Sequence, residues 1–299
     1  MNIKDASFSV RGETCDAELF SRNSPENQAA GIIVMGHGFA ACRSYGLDEY
    51  IRTFTEAGWD VLAFDYRGFG KSGGTPRRLV KPSKHLEDWT GAIEQAQSLL
   101  PRPEAPLVLW GSSYGGGHAL TIASRRSDIQ AVIAQVPHVA ARETLRIMEK
   151  EYFRKALGAI LKDGLRAALH RPPFEVPVVA KPGELAAMNT PDAWEGYKNL
   201  VPEEEEWRNS TPGRSLFHFS FYNPADSADA IECPVLIMAG KNDSLIPIDA
   251  VRRTAEKIRN CTLETGDFGH FDIYKGELCT KACSRQVKFL KTLYDEEYT

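Results

Sequence analysis

Short, unbroken apolar runs set the rhythm of this chain: 32–35, 61–64, 107–110, 131–134 and 235–238. Continuous rather than alternating hydrophobicity predicts central parallel strands covered on both faces. Between these runs, apolar residues recur at helical spacing over 48–57, 86–100 and 114–124, and Pro101, Pro103 and Pro106 end the second of these. Near the amino end, alternation over 6–10 and 16–20 across Arg11-Gly12-Glu13 predicts an antiparallel pair. A helix around 251–258 and a closing helix over 277–294 complete the pattern. The fold class this implies is α/β, with a mostly parallel central sheet and helices on both faces.

From Pro137 to about Asp229 the strand–helix rhythm is lost, over a stretch too long for an ordinary loop. The expected organisation is therefore a core formed by 1–137 and 230–299, with 138–229 inserted as a mainly helical cap. Helix formers with Leu145, Met148, Phe153, Leu157, Leu161 and Leu165 predict a broken helical hairpin over 141–170, kinked near Gly164. The prolines of 172–177 force an extended run. Beyond them, Trp194, Tyr197, Trp207, Phe217, Phe219, Phe221 and Tyr222 offer apolar surface that would roof an acyl tunnel, with Trp194, Tyr197 and Trp207 the candidate substrate contacts, against the plainer expectation that these aromatics glue cap to core.

The chemistry concentrates at strand ends. Gly111-Ser112-Ser113-Tyr114-Gly115 lies between an apolar run and a helical segment, where a tight turn would force a nucleophilic Ser113 into a strained, exposed conformation. Asp243 follows the run ending at Gly240, and His270 sits in a glycine-flanked loop after another short strand. Asp243 would orient His270, and His270 would accept the Ser113 proton. Asp267 and Asp272, also near His270, read as loop carboxylates. Gly36-His37-Gly38-Phe39 ends the first apolar run, so the amides of Phe39 and Tyr114 are the expected oxyanion donors, with His37 a turn residue rather than a second base.

Taken together, the serine elbow, the later acid and histidine, and the His37-Gly38-Phe39 turn resemble the α/β-hydrolase superfamily over most of the chain. His37-Gly38-Phe39 and the segment from Asp65-Tyr66-Arg67-Gly68-Phe69-Gly70 to Gly74 look like the dienelactone-hydrolase and bromoperoxidase-like branches. Gly269-His270-Phe271-Asp272 and Pro182-Gly183-Glu184-Leu185 are similar to a group that includes fungal polyketide transferases. The resemblance implies an α/β-hydrolase fold and a serine hydrolase or acyltransferase. Its substrate would be an ester or thioester, such as a polyketide-type acyl chain of secondary metabolism. A non-hydrolytic lyase or cyclase using the same residues, and a ligand receptor on a hydrolase fold, stay open as alternatives. An aspartate-nucleophile dehalogenase or epoxide hydrolase is disfavoured by the serine at position 113.

Composition narrows the field further. The chain has 299 residues, 42% hydrophobic and 25% charged, with a formal net charge of -4, which suits a globular enzyme and argues against a nucleic-acid partner. No apolar run approaches the ~20 residues of a membrane span, and 1–6 lack the apolar region of a secretory signal, so a cytoplasmic location is expected. Cys15, Cys42, Cys233, Cys261, Cys279 and Cys283 are scattered without metal-site spacing, so neither metal nor cofactor is expected. Basic clusters at Arg77, Arg78 and Lys81 and along the predicted cap helices read as solvated faces, or as a rim for an acyl-carrier domain or CoA thioester. A homodimer is compatible with the pattern.

Overall fold

A computed structural model describes residues 1–22, 29–146 and 150–294. The chain opens with β1 (Asn2–Asp5), β2 (Phe8–Val10), β3 (Glu13–Cys15) and β4 (Ala17–Ser21), then alternates: β5 (Ile32–Gly36), α1 (Asp48–Glu56), β6 (Asp60–Phe64), α2 (Pro82–Ser98), β7 (Leu107–Ser112), α3 (Tyr114–Ala123) and β8 (Ala131–Gln135). The intervening segment carries α4 (Ala141–Arg146), α5 (Lys150–Ala168), β9 (Glu175–Val176), α6 (Ala193–Lys198), β10 (Thr211–Pro212) and α7 (Arg214–Ser220). The alternation then resumes with β11 (Val235–Gly240), α8 (Ile248–Ala255), β12 (Cys261–Gly266) and α9 (Gly276–Tyr294).

The main sheet has eight strands in the order β1-β4-β6-β5-β7-β8-β11-β12. From β6 to β12 every pairing is parallel, and β5, β7, β8 and β11 are buried along their whole length. That is why these strands read as unbroken apolar runs: helices cover both faces, so no position alternates to solvent. One large apolar core joins the sheet to its helices, centred on residues such as Val34, Leu62, Leu109, Ile133 and Ile237.

The amino-terminal pairing differs from expectation. Phe8–Val10 pairs with Glu13–Cys15 through a turn in which Arg11 and Gly12 both have positive φ, 53° and 79°. Such a two-residue turn matches the right-handed twist of a hairpin. Ala17–Ser21 instead pairs with Asn2–Asp5 on one side and with β6 on the other. Alternation marks a strand but does not name its partner.

A second difference lies in the cap segment. Helix α5 runs through Gly164 without a break, because the turns leading into that glycine are anchored on their inner face. Ala156 and Ala159 join a small apolar cluster with Val176 and Leu216, and the fully buried Asp163 carboxylate accepts the backbone N–H of Phe174 (2.9 Å) and of Arg214 (3.0 Å). Packing thus overrides the modest helix penalty of glycine. Met148, expected within the first helix, lies outside the described residues.

Candidate active site

Several parallel strands deliver their carboxyl ends to one place, where open α/β sheets gather ligands. Strand β7 ends at Ser112, and Ser113 follows with φ 54° and ψ −118°, immediately before α3. The turn that holds it needs its glycines. A Cβ on Gly111 would lie 2.2 Å from the Gly115 carbonyl oxygen, and one on Gly115 would lie 2.4 Å from that of Gly36. The strained serine is tied down by its own backbone: Ser113 N–H donates to the Gln135 carbonyl (2.8 Å), and its carbonyl accepts from His138 N–H (2.9 Å).

His270 Nε2 lies 2.9 Å from Ser113 Oγ, and His270 Nδ1 lies 2.7 Å from Asp243 Oδ2. The other oxygen of Asp243 accepts the amides of Leu245 and Ile246, both at 2.8 Å, so the carboxylate is fixed by its own loop. The side chains of His270 and Asp243 are almost wholly buried. Asp267 forms an exposed ion pair with Lys241, and Asp272 accepts the Gly269 amide; neither bonds to the imidazole. This arrangement can hold one imidazole tautomer, with Nδ1–H on the carboxylate and Nε2 free to take a hydroxyl proton.

Phe39 and Tyr114, the expected oxyanion donors, both border the cavity that holds Ser113 and His270, and their rings meet edge to face at 5.4 Å. Gly38 brings the preceding turn onto the serine, since a Cβ there would stand 3.3 Å from Ser113 Cβ. His37 faces inward, with Nδ1 3.1 Å from the Gly38 carbonyl, and burial pushes its pKa down to about 3, so its ring is neutral and Nδ1–H donates. It is a turn residue. The carbonyl of His37 accepts the Tyr66 hydroxyl (3.2 Å), which in turn accepts the indole N–H of Trp89 (3.0 Å).

The cavity beside Ser113 has a volume of about 270 Å³. Its inner wall is apolar, formed by Phe39, Met188, Phe219, Leu245 and Ile246, while Glu151, Lys155 and Asn189 introduce polar groups. A much smaller void, about 20 Å³, lies on the other side of Ser113 and His270 between Tyr197, Leu200 and Tyr274. Of the aromatic residues expected to contact substrate, Trp194 and Trp207 do not border the main cavity, and Tyr197 borders only the small void. Trp194 and Trp207 pack on one another (5.8 Å), and Trp207 also stacks on Tyr197. Buried Tyr197 donates its hydroxyl to the Phe39 carbonyl at 3.1 Å, so it anchors the turn opposite Ser113. The cavity wall comes instead from Met188 and from Phe219, the latter among the cap aromatics that the sequence offered for the roof.

Sequence reasoning also missed what stands behind the serine. Trp110 N–H donates to Gln286, Gln286 to Gln135, Gln135 to Ser112 Oγ, and Ser112 shares a 2.6 Å hydrogen bond with Tyr274. This buried chain ties α9 to the turn that carries Ser113. The available signal was a polar Ser112 and Gln135 closing buried strands, because buried polar groups must find partners. Around Tyr114, burial depresses the pKa of His85 and His118 well below the usual range and that of His138 to about 4, leaving neutral rings. His85 Nδ1 lies 3.2 Å from His118 Nε2, and His118 Nδ1 lies 2.8 Å from the Tyr222 hydroxyl.

With this geometry established, comparison with known proteins becomes specific. Residues 27–171 match the family described as serine aminopeptidase, S33. The chain is 34% identical to the quorum-quenching protein AidA of Acinetobacter baumannii, over 97% of this chain and 94% of that one. The chain belongs to the α/β-hydrolase superfamily. Across 99% of its length, this hydrolase is also 26% identical to the full length of polyketide transferase af380 of Aspergillus fumigatus. Among solved structures, that of DcsB in complex with its substrate analogue aligns with a TM-score of 0.84 over 98% of this chain and 99% of that chain, at 19% identity, a likeness of fold.

The basic residues are largely committed within the hydrolase. Arg78 pairs with Glu175 (2.6 Å), Lys84 with Glu13 (3.2 Å), Arg142 with Asp226 (2.6 Å) and Arg154 with Glu151 (2.6 Å), while Arg77 donates to the carbonyls of Gly70 and Ser72. All six cysteines are free thiols. Among the described residues, no helix is long and apolar enough to cross a membrane, and no group of three or more His, Cys, Asp or Glu residues could hold a metal ion.

Proposed function

We propose that this protein is a serine hydrolase that cleaves acyl esters or thioesters through an acyl-enzyme on Ser113. The observation that carries this reading is the hydrogen-bonded series Asp243–His270–Ser113 opening on an apolar cavity. In the first half-reaction, Ser113 Oγ attacks the carbonyl carbon as His270 Nε2 takes its proton. Asp243 stabilises the imidazolium, and the tetrahedral oxyanion rests on the Phe39 amide and on the Tyr114 amide, the latter at the start of α3, where the helix dipole favours negative charge. His270 then protonates the departing alkoxide or thiolate. In the second half-reaction, His270 activates water against the Ser113 ester and the free acid leaves. An alcohol or amine that reached the acyl-enzyme in place of water would make the same site a transferase.

The apolar inner wall suits an acyl chain, and Lys155 and Asn189 suit polar substituents on it. The names polyketide transferase and thiohydrolase borne by relatives support an oxygenated, polyketide-like acyl group carried as a thioester. The test is intact-mass analysis after treatment with a fluorophosphonate, followed by a panel of acyl thioesters and matched esters. Expected is one covalent adduct on wild type, none on Ser113→Ala, and a turnover loss of about 10⁴-fold or more in that variant. A folded wild type that neither labels nor accumulates an acyl adduct would refute the serine mechanism and favour a lyase or a ligand receptor.

A further inference from the structure

Helix α5 is amphipathic in an unusual sense, because both of its faces carry apolar residues. The inner face packs Ala156, Ala159 and Ile160 into the small core of the cap. The outer face shows Phe153, Leu157, Leu161 and Leu165, with Leu169 just beyond the helix end, and these side chains are 42% to 63% exposed. Together they present on the order of 500 Å² of apolar surface, a size that monomers seldom leave uncovered unless it is used. Helix α7, which packs on α5, adds exposed Phe217 and Phe221. Gly158 and Gly164 lie on the outer side of α5, where an added Cβ would meet nothing within 4 Å. Glycine weakens a helix relative to alanine, and no contact among the described residues calls for it there.

We propose that α5 is the centre of a two-fold homodimer interface, lying antiparallel on α5 of a second copy with Leu161 on the axis. The order of residues carries the assignment. Rotation about Leu161 places Leu157 opposite Leu165, Phe153 opposite Leu169, and Gly158 opposite Gly164. Arg154, seven residues before Leu161 and so on the same face, falls opposite Ala168 rather than opposite another cation. Self-complementarity of this kind is what an isologous contact requires, since each residue must accept the image of its counterpart. The helix-surface neighbours of Leu161 three and four residues away are Leu157, Gly158, Gly164 and Leu165. The two glycines leave room beside the two leucines for the backbones to approach. With the α7 aromatics, the apolar surface moves toward the ~800 Å² per partner of a stable interface.

The same helix supplies Tyr152 and Lys155 to the cavity beside Ser113, so dimerisation would brace one wall of that cavity from outside. The inference does not depend on the reaction proposed above. Sedimentation equilibrium of the full chain tests it, with circular dichroism to verify folding. Expected are a dimer for wild type and a folded monomer for Leu161→Glu. Ala168→Arg should weaken association, because it would face Arg154 of the second copy. A second readout is Leu161→Cys, which should form an intermolecular disulfide under mild oxidation because residue 161 meets its own image. A monomeric wild type overturns the proposal, as does a dimer indifferent to Leu161→Glu. Wild type that stays monomeric but co-sediments with anionic phosphatidylserine vesicles would assign the face to a lipid surface instead. Association unaffected by Ala168→Arg would overturn the antiparallel register.

Discussion

The leucines of β7 and those of α5 have opposite fates in this molecule. Leu107 and Leu109 disappear into a core shared by the sheet and its helices, whereas Leu157, Leu161 and Leu165 face outward from a cap whose own core is a handful of side chains. Glycines follow the same division. Gly111 and Gly115 sit where any Cβ would strike backbone within 2.5 Å, while Gly158 and Gly164 stand in open space. The core therefore holds the serine turn by close backbone packing, and the cap presents surface. Hydrophobicity has one meaning beneath a sheet and another on an inserted helix.

The sharpest way to break that contrast is Gly115→Ala. Its Cβ would sit 2.4 Å and 2.5 Å from the carbonyl oxygens of Gly36 and His37, neither of which is free to swing away. A stability loss of about 3 kcal/mol is expected, read as a shift in the urea midpoint, together with loss of fluorophosphonate labelling. Gly111→Ala should behave similarly.

Acid comes next in size and acts on the core side of Ser113. Burial lowers the folded-state pKa of His138 from 6.5 to about 4. Below pH 6.5 the unfolded chain therefore binds a proton that the folded chain refuses, and stability falls as the pH drops from 6.5 toward 4. Below about 4 the folded state is protonated too, and this contribution stops changing. One such histidine accounts for on the order of 3 kcal/mol, and His85 and His118 act in the same direction. Urea midpoints measured across that range should fall steeply for wild type and less steeply for His138→Phe.

Smaller effects are expected where cap meets core. Tyr197→Phe removes the hydroxyl that the cap extends to the Phe39 carbonyl, a hydrogen bond contributing about 1 kcal/mol. Because it positions the turn that carries Phe39, the proposed oxyanion donor, kcat should drop about tenfold while KM holds; an equal rise in KM would make Tyr197 a binding residue instead. The smallest effect has the opposite sign. Gly164→Ala should stabilise the monomeric chain by up to ~1 kcal/mol in thermal unfolding, and a destabilisation would show that the glycine is already in contact.

The order of strands and helices was legible because burial on both faces writes itself as continuous apolar runs, and because Pro and Gly mark where helices stop. Ser113, Asp243 and His270 were legible for a related reason: each follows an apolar run, so the topology sends all of them to one edge of the sheet. The partners of β2 and β4 were not legible, since alternation records which side is wet and not which strand lies alongside. Nor was the continuity of α5, because the carboxylate that secures it, Asp163, binds the amides of Phe174 and Arg214 from outside the helix.

The amino-acid sequence by itself determined the α/β architecture and that Ser113, Asp243 and His270 each follow an apolar run. Those properties depend on periodicity and on turns that few residues can make, and both are local. Tertiary structure alone decided that Met188 and Phe219 line the cavity while Trp194 and Trp207 do not, that Tyr197 braces the Phe39 turn, and that the leucines of α5 stay exposed. Those outcomes depend on which surfaces are brought together over distances of many residues. An apolar side chain carries the same drive to leave water wherever it stands, and only the packing shows whether the chain itself has satisfied it.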